Sequence, residues 1–137
     1  MKHSPFLARV VEAANAHDVE RIADCFTPDY VNETPCHPHR GFVGNEQVRR
    51  NWTGILAAVP DLVASVVAEV VAEDQVWSEW EMRGTLRDGS THLMRGVMVF
   101  GVVGDQARSC RFYLEPVVTD EMSADGFVAT LGAGGVP

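Results

Sequence analysis

The chain is poor in the residues that staple, anchor or polarise a protein. Its 137 residues hold three cysteines, Cys25, Cys36 and Cys110, odd in number and far apart. That spacing gives no disulfide framework and reads as the reduced thiols of a cytoplasmic protein. Lysine occurs once, at Lys2, so ten of the eleven basic residues are arginine, and they form no run. Against nineteen acidic residues they leave a net charge of −8, a balance that repels phosphate backbones and argues against nucleic acid as a partner. No apolar run approaches the ~20 residues of a membrane span. Pro5 and Arg9 interrupt the N-terminus before an apolar signal region can build, so no membrane partner is expected. A Gly-x-Ser-x-Gly elbow is missing, and the glycines from Gly132 to Gly135 lack the lysine and preceding strand of a phosphate loop. Cys36-His37-Pro38-His39 crowds three metal-ligand side chains into four residues, but no second cluster completes a tetrahedral set. It reads as a loop without metal.

What remains is ordinary globular composition, 46% hydrophobic and 22% charged, in a length that suits one core. The first third has helical period. Ser4 and Pro5 open a helix with Phe6, Leu7, Val10, Val11 and Ala14 on one stripe. Asp18 caps a second, short helix that buries Val19, Ile22, Ala23 and Phe26 and stops at Pro28-Asp29. Tyr30 to Glu33 suits a short strand, and Pro35 to Gly44 a loop. A third helix carries Val48, Trp52, Ile55, Leu56 and Val59 and ends at Pro60. Beyond it the period becomes two. Turns at Glu73-Asp74, Asp88-Gly89 and Gly104-Asp105 divide a meander of four antiparallel strands, about 62–72, 75–87, 90–103 and 106–118. Residues 1–118 form a single α+β domain, and the glycine-rich 119–137 a loose C-terminal tail.

The order of these elements resembles the NTF2-like superfamily. Gly44 to Leu62 (GNEQVRRNWTGILAAVPDL) is similar to the third helix of its SnoaL-like polyketide cyclase branch, with a Pro-Asp-Leu exit. Val76 to Thr85 (VWSEWEMRGT), Arg95 to Phe100 (RGVMVF) and Arg111 to Pro116 (RFYLEP) complete a likeness that covers about residues 5–118. It implies a cone-shaped barrel, three helices packed on a strongly curved antiparallel sheet of the four-strand meander plus one short strand. It also implies an apolar pocket, a small hydrophobic ligand, no cofactor and a homodimer.

The chemistries hosted by this fold differ in what they need from the residues. Steroid isomerases of the fold use a first-helix tyrosine and an aspartate before a proline. Those positions fall on Val10 and Thr34, with Glu33 as neighbour, and neither residue can do that work. Limonene-type epoxide hydrolases use an Asp-Arg-Asp set inside the barrel, whereas Asp74, Asp88 and Asp105 fall in turns here. SnoaL-type cyclases use an acid on the last strand, and Glu115 lies in about the right place. Glutamate for aspartate is a departure, since one methylene moves the carboxyl by over about an ångström. The resemblance implies Glu115 as acid/base, with Tyr113 as hydrogen-bond donor to the oxyanion and Arg111 as orienter. In an apolar cavity burial can raise such a carboxyl's pKa. Trp52, on the helix that roofs the pocket in this fold, and Trp80, Met98 and Phe100 on the sheet are the expected ligand contacts.

Ideal two-residue turns would align Arg83, Met94 and Glu115 across the sheet, then Glu81, Gly96 and Tyr113, then Glu79, Met98 and Arg111. That register gathers the charged residues on one face. Val76, Trp80, Met82, Val97, Val99, Cys110, Phe112 and Leu114 then share the other. A bulge at Gly84, Gly96 or Gly101 would turn Glu115 inward. Without one, the polar set is a solvent-facing or dimer-facing ladder of ion pairs, and the domain is a non-catalytic ligand-binding or dimerisation module. His92 reads as an edge histidine. Trp77 and Trp80 must point to opposite faces, which offers one of them to a dimer interface.

Overall fold

Ser4 Oγ accepts the amide of Leu7 at 3.2 Å, and Pro5 takes the first turn of helix α1 (Pro5–Asn15), where its missing N–H costs no bond. Residues 2–132 are described in a computed structural model of the chain. Asp18 caps α2 (Val19–Ala23) by accepting the amide of Arg21 at 3.1 Å. Phe26, expected on that helix, instead opens strand β1 (Phe26–Glu33). Pro28 is tolerated inside the strand because β1 has no ladder partner on β6 between the Phe26–Ala107 and Val31–Ser109 pairs. A single 3-10 turn (Pro38–Arg40) and a two-residue strand β2 (Phe42–Val43), which the sequence did not signal, lead into α3 (Asn45–Ala58).

The meander follows as expected, through β3 (Val63–Ala72), β4 (Gln75–Thr85), β5 (Thr91–Val103) and β6 (Gln106–Pro116). The strand order is β2-β1-β6-β5-β4-β3. The α+β arrangement stands, with six strands rather than five. The sheet is mixed rather than antiparallel throughout, because β1 returns from the helices parallel to β6.

Two one-residue shifts set the faces of this sheet. At Asp88-Gly89 the turn holds three residues, not two. Leu86 N–H donates to the Ser90 carbonyl at 2.9 Å, and Gly89, with φ +87°, closes the turn by donating to the Leu86 carbonyl. The pairs become Thr85–Thr91, Met82–Met94 and Trp80–Gly96. Between β5 and β6 a bulge after Gly101 leaves Arg108 without a partner and aligns Met98 with Phe112 and Gly96 with Leu114. Together the shifts displace β4 against β6 by two residues, which keeps the facing of both, and turn β5 over. Met94, Met98 and Phe100 therefore join Trp80 and Leu114 on the concave face, and Val97 and Val99, expected there, lie on the convex one. A third irregularity, at Val67, bends the edge strand β3.

Gly96 permits the tight curl at the centre. A Cβ there would lie 2.1 Å from the Tyr113 carbonyl oxygen, so β5 and β6 approach each other only because no side chain intervenes. Helices α1 and α2 fill one end of the concave face, where Phe6 meets Phe100 edge-on at 4.8 Å and Phe26 at 5.8 Å. Helix α3 is different. Of its apolar stripe Val48 and, at the cap, Val59 are fully buried, while Trp52 and Leu56 are half-buried, because the middle of the helix faces a cavity rather than a filled core. Its C-terminal end is tied down by Arg87 Nε donating to the Ala57 carbonyl and Thr85 N–H donating to Asp61 Oδ1. Those Thr85 hydrogen bonds hold the Asp61 carboxyl below its usual range.

The tail, expected to be loose, contains a helix. Ser123 Oγ accepts the amide of Gly126, and α4 (Ala124–Gly132) follows with none of its residues buried. Residues 133–137, with Gly134 and Gly135, lie outside the described residues.

Candidate functional site

Between α3, β1, the 34–41 loop and the concave face of β4–β6 lies a cavity of about 390 Å³. That is enough for a small organic molecule. Val10, Phe26 and Phe100 close its inner end. Trp52 and Ile55 roof it, and Trp80, Met98, Phe112 and Leu114 form the sheet wall. The sequence-selected contacts Trp52, Trp80, Met98 and Phe100 are thus brought together on one hollow. The Trp80 indole N–H is not offered to it, since it donates to Ser78 Oγ at 2.8 Å.

Polar groups are few and grouped. At the end where β6 finishes and β5 begins stand Glu115, His37, Arg40 and His92. Along β1 and just past its end, Tyr30, Asn32 and Thr34 face the cavity at alternate positions, as strand geometry requires. The Tyr30 hydroxyl donates to Asn32 Oδ1 at 2.8 Å. Burial, with Cys110 beside it, pushes the Tyr30 phenol well above its ordinary range, so it stays a neutral donor. The Cys110 thiol is itself pushed up to about 12 by burial.

The three expected catalytic residues part company. Tyr113 and Arg111 lie on the convex face and do not line the cavity; the Arg111 guanidinium sits 5.9 Å over the Trp77 ring. The cause is that the two shifts total two residues, one strand period, which leaves β6 facing as ideal alternation had placed it. Glu115 shares that alternation but stands one residue from the strand's end, where the loop after β1 folds against it. Its Oε1 meets His37 Nε2 at 2.8 Å. A carboxylate can only accept, so this contact is a hydrogen bond in the form of the ring that carries a proton on Nε2. Glu115 is not withdrawn from water: its side chain is 42% exposed and that of His37 36%. Nor is it locked to arginine. Arg95, directly across from Glu115, turns to Glu81 at 2.9 Å, and Arg83 pairs with the same carboxylate. The ion-pair ladder expected on the outer face is therefore centred on Glu81.

Sequence reasoning missed His37, read as part of a metal-free loop, and His92, read as an edge residue. Among the described residues no three His, Cys, Asp or Glu side chains are placed to hold a metal ion. Tyr30, Asn32 and Thr34 did carry a signal, three polar side chains at period two that alternate with Val31 and Glu33.

Residues 7–109, three quarters of the chain, match the SnoaL-like domain. The chain belongs to this family. No curated protein matches the sequence. Solved structures do resemble this SnoaL-like domain. RV0760c from Mycobacterium tuberculosis, in complex with estradiol-17beta-hemisuccinate, is 22% identical with a TM-score of 0.68, over 81% of this chain and 94% of that one. A hypothetical protein of ketosteroid isomerase-like fold from Catenulispora acidiphila, in complex with trimethylamine, is 15% identical with a TM-score of 0.67, over 81% and 87%. A candidate polyketide cyclase from Sinorhizobium meliloti is 17% identical with a TM-score of 0.64, over 82% and 95%. At these identities the likeness establishes the fold. Among the described residues no helix is long and apolar enough to cross a membrane.

Proposed function

We propose that this SnoaL-like domain binds a small, mostly apolar carbonyl compound beneath α3 and moves a proton beside its carbonyl, as a cofactor-independent cyclase or isomerase does. The observation that carries this reading is the Glu115–His37 pair, a carboxylate and an imidazole joined at 2.8 Å on the edge of a mostly apolar hollow. Glu115 is the base. It takes a proton from the carbon next to the carbonyl; the C–H electron pair becomes the C=C bond of an enolate, and the carbonyl π pair moves to oxygen. Returning the proton to another carbon isomerises the molecule. Attack of the enolate carbon on a second carbonyl of the same molecule cyclises it, and the new alkoxide takes the proton back from Glu115. His37 orients the carboxylate and exchanges protons with water. Tyr113 and Arg111, on the convex face, have no part in this reading.

The exposure of both partners favours a second reading, a ligand-binding module in which the pair merely ties the 34–41 loop to β6. A relative that holds a steroid ester is compatible with either. Deuterium uptake beside the carbonyl of 2-tetralone in D2O separates the two. The enzyme reading expects uptake faster than in buffer, reduced about 10²-fold or more by Glu115→Gln. Binding of the ketone with no acceleration by the unaltered protein would leave the module.

A further inference from the structure

We infer that Tyr30, Asn32 and Thr34 form a hydrogen-bonding subsite for a neutral oxygen of the ligand, a ketone, ester or hydroxyl, distinct from the Glu115–His37 pair. This rests on the reading that the cavity holds a small apolar molecule. Asn32 Oδ1 accepts the Tyr30 hydroxyl at 2.8 Å, which fixes the amide's orientation and leaves both Nδ2 N–H donors uncommitted to Tyr30. Asn32 is nevertheless 8% exposed, so few of its options lie in bulk water. Thr34 is 6% exposed, lines the cavity, and its Oγ1 has no hydrogen-bond partner among the described residues. Buried hydroxyls are almost always partnered, and a rotation about χ1 would bring the Thr34 hydroxyl to the hollow that this residue lines. β1 and β6 place the stripe beside Phe112, since Glu33 pairs with Arg111.

The charge state selects the ligand's chemistry. Tyr30 remains a phenol whose proton goes to Asn32, and an amide and a hydroxyl do not ionise, so Asn32 and Thr34 supply neutral donors in a low-dielectric wall. A carboxylate or phosphate placed there would lack a countercharge from these three side chains and suffer the cost of dehydration. A neutral oxygen does not. Thr27 supplies a built-in comparison. Its Oγ1 is likewise buried without a partner, but it does not line the cavity.

The test compares 2-tetralone with tetralin, the same two-ring skeleton with and without a carbonyl, by NMR titration of the intact protein. The unaltered chain should bind the ketone about tenfold or more tightly than the hydrocarbon. Thr34→Val, close to isosteric, should cut that preference about 3–10-fold while leaving tetralin affinity in place. Asn32→Leu combined with Tyr30→Phe should cut it further, and Thr27→Val should leave it intact. Equal affinity of the unaltered chain for both molecules, or full preference retained in Thr34→Val, overturns the subsite and spares the cavity reading. Binding of neither molecule overturns both.

Discussion

Burial separates three cysteines that composition treats alike. Cys36 is exposed, whereas Cys25 and Cys110 are buried, and their thiols are pushed up chiefly by burial. In the native protein at pH 8, a disulfide reagent should modify one thiol, Cys36, within the time that leaves the other two intact; rapid labelling of Cys110 would contradict its placement against Tyr30. The same shift makes a pH prediction. Unfolded Cys110 has its ordinary value near 9.0 and folded Cys110 one of about 12, so the unfolded chain binds fewer protons in that interval. Its contribution is therefore complete below about pH 9 and is lost as pH rises toward 12. Denaturant midpoints should fall between pH 8 and pH 10.5, and Cys110→Val should flatten the fall. An unchanged slope in the variant would assign the loss elsewhere. At this scale the sequence was half legible: Cys25 and Cys110 were readable as core from their apolar neighbours, but which polar groups meet inside was not. His37 and Glu115 are 78 residues apart, and their contact exists only because β1 lies parallel to β6.

Elements were legible where local chemistry decides them and illegible where one residue of turn length decides them. Ser4, Asp18 and Pro60 marked helix ends correctly because capping and proline geometry act within a few residues. Asp88-Gly89 marked a turn correctly but not its length. The extra loop residue turned β5 over and carried Met98 and Phe100 to the concave face. Phe26 was assigned by its apolar spacing to a helix that Asp24 and Cys25 had already ended, and β1 grew to eight residues at that helix's expense. The curl of β5 against β6 depends on Gly96. Gly96→Ala would force a methyl group to 2.1 Å from the Tyr113 carbonyl, so the strands must separate. The expected cost is about 2 kcal/mol or more, read as a shift in thermal midpoint. Gly54→Ala, where nothing lies within 4 Å of the added carbon, should not destabilise the chain. Equal effects of the two substitutions would mean that the close approach is not needed.

For the whole molecule, the family and the α+β architecture followed from four short segments in the right order, and the hollow follows from how they assemble. Helix α3 packs through Val48, its far end is tied down by Arg87 and Asp61, and Trp52 and Ile55 face the hollow rather than a filled core. The three tryptophans divide around this arrangement in a way that makes them reporters. Trp52 and Trp80 line the hollow, while Trp77 stands on the convex face beside Arg111. The most direct measurement is therefore the movement of the three indole N–H signals in a ¹⁵N–¹H spectrum as 2-tetralone is added. Shifts at Trp52 and Trp80 with Trp77 unmoved are the predicted result. Movement of Trp77 alone, or of none of the three at saturating ketone, would contradict a ligand site beneath α3.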